Sequence, residues 1–143
     1  MPRYARAVSR LGELMARDVV TVAPEDTLGE AAQRMSEQNI GSAVVLEHGR
    51  LIGIFTERDV LNAVGGRAHP SEARVREWMT RDPITADEDT SAGEAARVML
   101  EHGFRHLPVV EGERTVGIVS LRDVMRWSMH VAPGAEQVGS DFP

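Results

Sequence analysis

Apolar positions in this chain fall into short runs rich in β-branched residues and into stretches with a period close to 3.6. Short runs rich in β-branched residues at 19–22, 43–46 and 51–55 read as strands. Between the first two, Leu28, Ala31, Ala32 and Met35 fall on one face of a helix. Thr27 and Glu30 stand at its start with capping-box spacing: the hydroxyl serves an orphan N–H and the carboxylate reaches back. Residues 47–50, with Gly49 among them, read as a hairpin connection. A further helix begins near Glu57. The order is β-α-β-β-α over about 50 residues, near the size at which an isolated domain is marginal.

The same order then repeats. Strands are expected at 84–86, 107–110 and 115–119, with a hairpin connection at 111–114. Ser91 and Glu94 repeat the capping spacing, and Ala92, Ala95, Ala96 and Met99 repeat the apolar face. The last helix begins near Leu121. A shift of 64 residues aligns 15–61 with 79–125 without a gap, and 18 of the 47 positions are identical. Chance at ordinary composition gives about three or four. The chain is therefore expected to be α/β (α+β), with two β-α-β-β-α units at 15–64 and 79–129 packed about a pseudo-twofold axis.

The flanks carry weaker patterns. Residues 1–14 form an N-terminal helical segment in which Tyr4, Val8 and Leu11 continue to Met15 on one stripe, read as packing on its own domain. Residues 65–78 are a linker, flexible at 65–70, with a helix over 71–79. Residues 130–143, with two prolines and no period, read as a mobile tail.

Composition narrows the chemistry. The chain has 143 residues, no cysteine, and 16 basic residues that are all arginine. Cysteine nucleophiles, disulfides and cysteine-held zinc are excluded, as are a P-loop lysine and a lysine Schiff base. A net charge of -6 disfavours nucleic acid as a partner. No apolar run reaches the roughly 18–20 residues of a membrane span, and the N-terminus lacks the apolar stretch of a secretory signal. A cytoplasmic location is expected. His102 and His106 have i,i+4 spacing, but Gly103 between them marks a helix end, so no metal site is assigned. His48 and His69 lie in expected loops, and Trp78 and Trp127 are expected to be buried.

Each repeat opens on Met-x-x-Asp (Met15, Asp18; Met79, Asp82) and closes on Gly-h-h-Thr/Ser-x-x-Asp (Gly53, Thr56, Asp59; Gly117, Ser120, Asp123). With residues 105–110 (RHLPVV), this pattern resembles the CBS domain, named after cystathionine β-synthase, and two in tandem resemble a CBS pair, or Bateman module. The resemblance covers about residues 15–127. It implies a regulatory, non-catalytic module that binds an adenosyl ligand such as AMP, ADP, ATP or S-adenosylmethionine in a cleft between the units. It also implies a homodimer. No cofactor is required, and the output passes to an unknown protein partner.

The closing motif can be read chemically. An ionised Asp59 or Asp123 is acceptor-only and can take both hydroxyls of a ribose diol. Thr56 and Ser120 stand where a strand becomes a helix, and the helix-start amides there favour an anion. Gly53 and Gly117 leave room for a neighbouring backbone or a ligand. The plainer reading is an N-cap with a first-turn acid. By resemblance the sites are crossed. One joins Thr56, Arg58 and Asp59 with Thr85, Phe104, Arg105, His106 and Pro108. The other joins Ser120, Arg122 and Asp123 with Thr21, Ile40, Gly41, Ser42 and Ala43. Arg105 and His106 favour phosphate in the first, and the acidic residues Asp87, Glu88 and Asp89 oppose it unless they face solvent. The competing expectation is an interaction module with vestigial clefts. A nucleotide hydrolase lacks the positioned base and metal site it needs.

Overall fold

A computed structural model describes residues 9–131. The sequence-based stripe through Tyr4 and Val8, and the tail from residue 132, lie outside the described residues. The described chain forms two compact units. The first comprises residues 18–84 with 112–115; the second comprises residues 9–17, 85–111 and 116–131.

In the first unit, β1 (Thr21–Val22), β2 (Ser42–Glu47), β3 (Arg50–Thr56) and β4 (Thr80–Arg81) form one sheet in that order. β1 runs parallel to β2, and the other neighbours are antiparallel. His48 and Gly49 link β2 to β3 with φ of 53° and 78°, the left-handed pair that suits the twist of a tight hairpin. Helix α2 (Leu28–Gln38) buries Leu28, Ala31 and Met35 and leaves Ala32 half-exposed. Its capping box is complete, with Thr27 N–H donating to Glu30 and Glu30 N–H donating to the Thr27 hydroxyl. Helix α3 (Glu57–Gly65) follows β3 directly. The core gathers Val20, Val22, Leu28, Ala31, Met35, Ala43, Val45, Phe55, Ala63, Val75 and Met79, with Trp78 partly buried against it.

In the second unit, β5 (His106–Glu111) and β6 (Arg114–Ser120) form the sheet, flanked by α5 (Ala92–His102) and α6 (Leu121–Val131). The strand expected at 84–86 is reduced to a single parallel bridge between Ala86 and Val109. Asp82 has a φ of 47°, and Pro83 after it offers no N–H to a ladder. The second capping box is half made. Ser91 accepts from Glu94 N–H, but the Glu94 carboxylate turns to Arg97 one turn on, a charged donor that outcompetes the backbone amide. Leu11, Met15, Ala92, Ala95, Met99, Leu107, Val109, Val119 and Val124 form the core, with Trp127 partly buried and its indole N–H donating to Ser9.

The helix expected over 71–79 is only α4 (Val75–Trp78), because residues 69–73 close on themselves as a turn before Arg74. α4 and its N-terminal counterpart α1 (Leu11–Leu14) reveal how each unit is completed. Residues 10–17, which lead into the first repeat and include its opening Met15, belong to the second unit; residues 74–84, which lead into the second repeat and include its opening Met79, belong to the first. Ala16 bridges Ile118, and β4 pairs with Gly53 and Ile54 of β3. Arg10 donates to the Asp89 carbonyl and Arg74 to the Glu25 carbonyl, the same contact at the repeat offset.

Candidate functional site

Each closing motif sits where a strand runs straight into a helix. Thr56 ends β3 and is the N-cap of α3; Ser120 ends β6, and α6 starts at the next residue. In the first unit, Thr56 N–H and the Thr56 hydroxyl both donate to Asp59 Oδ2, at 2.8 and 3.3 Å. In the second, Ser120 N–H donates to Asp123 Oδ2 at 3.2 Å, and Asp123 N–H donates back to the Ser120 hydroxyl at 3.0 Å. The plainer reading is thus realised in both units: the motif caps its own helix. The cap engages Oδ2 only, so Oδ1 of each carboxylate has acceptor capacity left. Partial burial pushes the Asp59 carboxyl above its ordinary range, against the two bonds from Thr56 that favour the charged form.

The segment after the first helix of each unit docks on that unit's own closing motif, whereas the crossed expectation grouped residues 40–43 with Ser120 and residues 104–108 with Thr56. Glu57 N–H donates to the Gly41 carbonyl at 3.0 Å, and Leu121 N–H donates to the Arg105 carbonyl at 2.8 Å. The first unit therefore brings Ile40, Gly41, Ser42 and Ala43 beside Thr56, with Ser42 opposite Thr56 and Ala43 opposite Phe55. Thr21 is exposed on β1, where its carbonyl accepts from Arg34. Arg58 is exposed and Asp59 half-buried on α3.

The second unit places Phe104, Arg105 and His106 beside Ser120 in the same way. Phe104 is half-buried with its ring 5.6 Å from that of His102, Arg105 is exposed, and Pro108 is buried. The Pro108 carbonyl accepts from Ala86 N–H, which leaves Thr85 exposed just outside the bridge. Arg122 is exposed and Asp123 half-buried on α6. Arg58, Arg105 and Arg122 enter no ion pair among the described residues.

Two expectations narrow. The acidic run at 87–89 is largely consumed locally: Glu88 pairs with Arg17 at 3.0 Å, and Asp87 accepts from Asp89 N–H and the Thr90 hydroxyl. Of the two occupants expected beside Gly53 and Gly117, it is neighbouring backbone, with a methionine side chain, that comes close. A Cβ on Gly53 would stand 2.7 Å from the Met79 sulfur and 2.9 Å from the Thr80 carbonyl oxygen. α5 ends at His102, so His102 and His106 do not share a helix face, and no cluster of potential metal ligands occurs among the described residues. Glu57 was not singled out from sequence, although its place directly after Thr56 puts an acid at the first position of a helix.

A duplicated β-α-β-β-α module whose strand-to-helix junctions each hold a cap-bound carboxylate defines a class of paired α/β domain. The family model described as CBS domain matches residues 11–66 and 75–130. The chain belongs to the CBS domain family, as a tandem pair. It is 38% identical over 120 residues to an uncharacterized 17.7 kDa protein of Acidianus ambivalens, covering 82% of this chain and 72% of that one. A CBS-domain containing protein of Agrobacterium tumefaciens superposes with a TM-score of 0.76 at 35% identity, covering 82% of this chain and 98% of that one. The CBS domain pair of protein MJ0100, solved in complex with 5′-methylthioadenosine and S-adenosyl-L-methionine, has a TM-score of 0.75 at 30% identity, covering 83% of this chain and 94% of that one. Among the described residues no helix is long and apolar enough to cross a membrane.

Proposed function

We propose that this chain is a cytoplasmic sensor that binds an adenosyl ligand, AMP, ADP, ATP or S-adenosylmethionine, without transforming it. The observation that carries the reading is the duplicated carboxylate. Asp59 and Asp123 each keep Oδ1 for a ribose diol while their own helix starts engage Oδ2. The adenosyl ligands of the MJ0100 pair support the ligand class. Residues 40–43 and 104–108, docked beside the closing motifs, are the candidate adenine and phosphate contacts, with Thr21 and Thr85 at the first strand positions. Occupancy then passes to a second copy or to a partner protein.

A thermal-unfolding panel with AMP, ADP, ATP, S-adenosylmethionine and NAD tests this. A ligand at 100 times its Kd stabilises by about 2.7 kcal/mol. Well-folded protein that responds to none of them overturns the proposal.

A second reading, a homodimerising module with vestigial clefts, has its own observation. Leu61 on α3 and Met125 on α6 occupy the same repeat position and are 67% and 58% exposed. Val64 and Met129 extend these faces. This reading expects stability that rises with protein concentration and no ligand response.

A further inference from the structure

The two closing motifs make the same backbone contact, but the residues that meet at it differ in charge. At the shared repeat position, the carbonyl of Gly41 accepts from Glu57 N–H, and the carbonyl of Arg105 accepts from Leu121 N–H. Where one pair is glycine and an acid, the other is an arginine and leucine. A Cβ on Gly41 would stand 3.0 Å from the Glu57 carboxylate carbon and within 3.2 Å of both its oxygens. The Glu57 carboxylate therefore lies directly over the Gly41 edge. Neither Glu57 nor Arg105 has an ion-pair partner among the described residues. Both side chains are exposed.

Resting on the adenosyl reading above, we infer that Glu57 is a specificity-determining residue that turns phosphate away from the Gly41 edge and leaves it to uncharged or cationic adenosyl groups, while Arg105 reserves its own edge for a phosphorylated one. The Glu57 carboxylate sets a negative charge beside the start of α3 and over the Gly41 edge. A second anion brought there meets like charge. Leu121 places no charge at the start of α6, and Arg105 beside it offers a bidentate donor suited to phosphate.

The test uses the full chain, titrated with AMP and with 5′-methylthioadenosine, which lacks the phosphate. Amide chemical shifts of Gly41 and Arg105 report which edge responds. Glu57→Gln is expected to raise the AMP-over-methylthioadenosine preference at Gly41 by about five-fold, the worth of a unit charge at about 4 Å in water. Glu57→Asp, which keeps the charge, is expected to hold the original ratio. Arg105→Gln is expected to lower the ratio at its own edge by a similar factor. A ratio is insensitive to a general loss of folding. Both ligands binding with unchanged ratios in Glu57→Gln overturns the inference alone. Failure of every adenosyl ligand to bind folded protein overturns the proposed function, and this inference with it.

Discussion

The sulfur of Met15 lies 2.6 Å from where a Cβ on Gly117 would stand, and the Ala16 carbonyl oxygen lies 2.9 Å from the same point. Met79 and Gly53 repeat the relationship. Backbone on one side and a packed thioether on the other leave an added methyl nowhere to go. Gly117→Ala and Gly53→Ala are each expected to destabilise the protein by about 1–3 kcal/mol, the usual cost of overpacking. Urea unfolding measures it. A change below a few tenths of a kcal/mol in both variants contradicts the notch.

Asp59 gives a pH signature. Burial raises its folded pKa above the ordinary 3.8. The folded state then holds its proton to higher pH than the unfolded state, so stability falls as pH rises from about 3.8 through the folded value. Asp59→Asn keeps an oxygen for Thr56 N–H and removes the charge. It is expected to lessen that loss, so its melting temperature relative to the parent is higher at pH 7 than at pH 3. A carboxyl-carbon NMR titration of Asp59 with a midpoint below 3.8 would refute the direction.

Thr27 and Glu30 give the opposite sign. The Thr27 backbone amide, then its hydroxyl, hold the Glu30 carboxyl below its ordinary 4.5. That contribution is present above 4.5 and disappears as pH falls through the folded value. Thr27→Ala is expected to cost about 1 kcal/mol as a lost N-cap. Ser91→Ala removes the corresponding cap of α5, where Glu94 pairs with Arg97 and makes no return bond. Its loss is expected to be the less sensitive of the two to pH between 3 and 5, read from paired thermal melts.

The exposed faces of α3 and α6 give a test of association. Leu61→Glu and Met125→Glu place a charge on solvent-facing positions and are expected to leave the fold intact. If these helices meet a second copy, both substitutions shift sedimentation toward the monomer by ten-fold or more in Kd, roughly 1.4 kcal/mol. An unchanged monomer–dimer balance removes these faces from the interface.

Much of this was legible because it is local. The repeat, the helix faces and both closing motifs follow from spacing within a few residues, and the hairpin at 48–49 from its glycine. The exceptions share a cause. Glu94 departs from Glu30 because an arginine stands three residues after it, where Glu30 has Gln33. The assignment of α1 and α4 to units is a long-range choice between two similar docking places. Arg10, Glu13 and Met15 recur as Arg74, Glu77 and Met79, so nothing local says which glycine notch each methionine fills. The contrast in charge between the Gly41–Glu57 and Arg105–Leu121 pairs became visible only when the hydrogen bonds from Glu57 and Leu121 brought those positions together.

That exchange of arms sets a schedule on synthesis. Met79 emerges after Gly53 and finds its notch already made, so the first unit closes in chain order. Leu11 and Met15 emerge early and wait, because Gly117 and Ile118 come about a hundred residues later. Apolar residues made well before their partners are thus some of the last of their unit to leave water. Cutting the gene at the repeat boundary yields two halves, each carrying the other's missing piece.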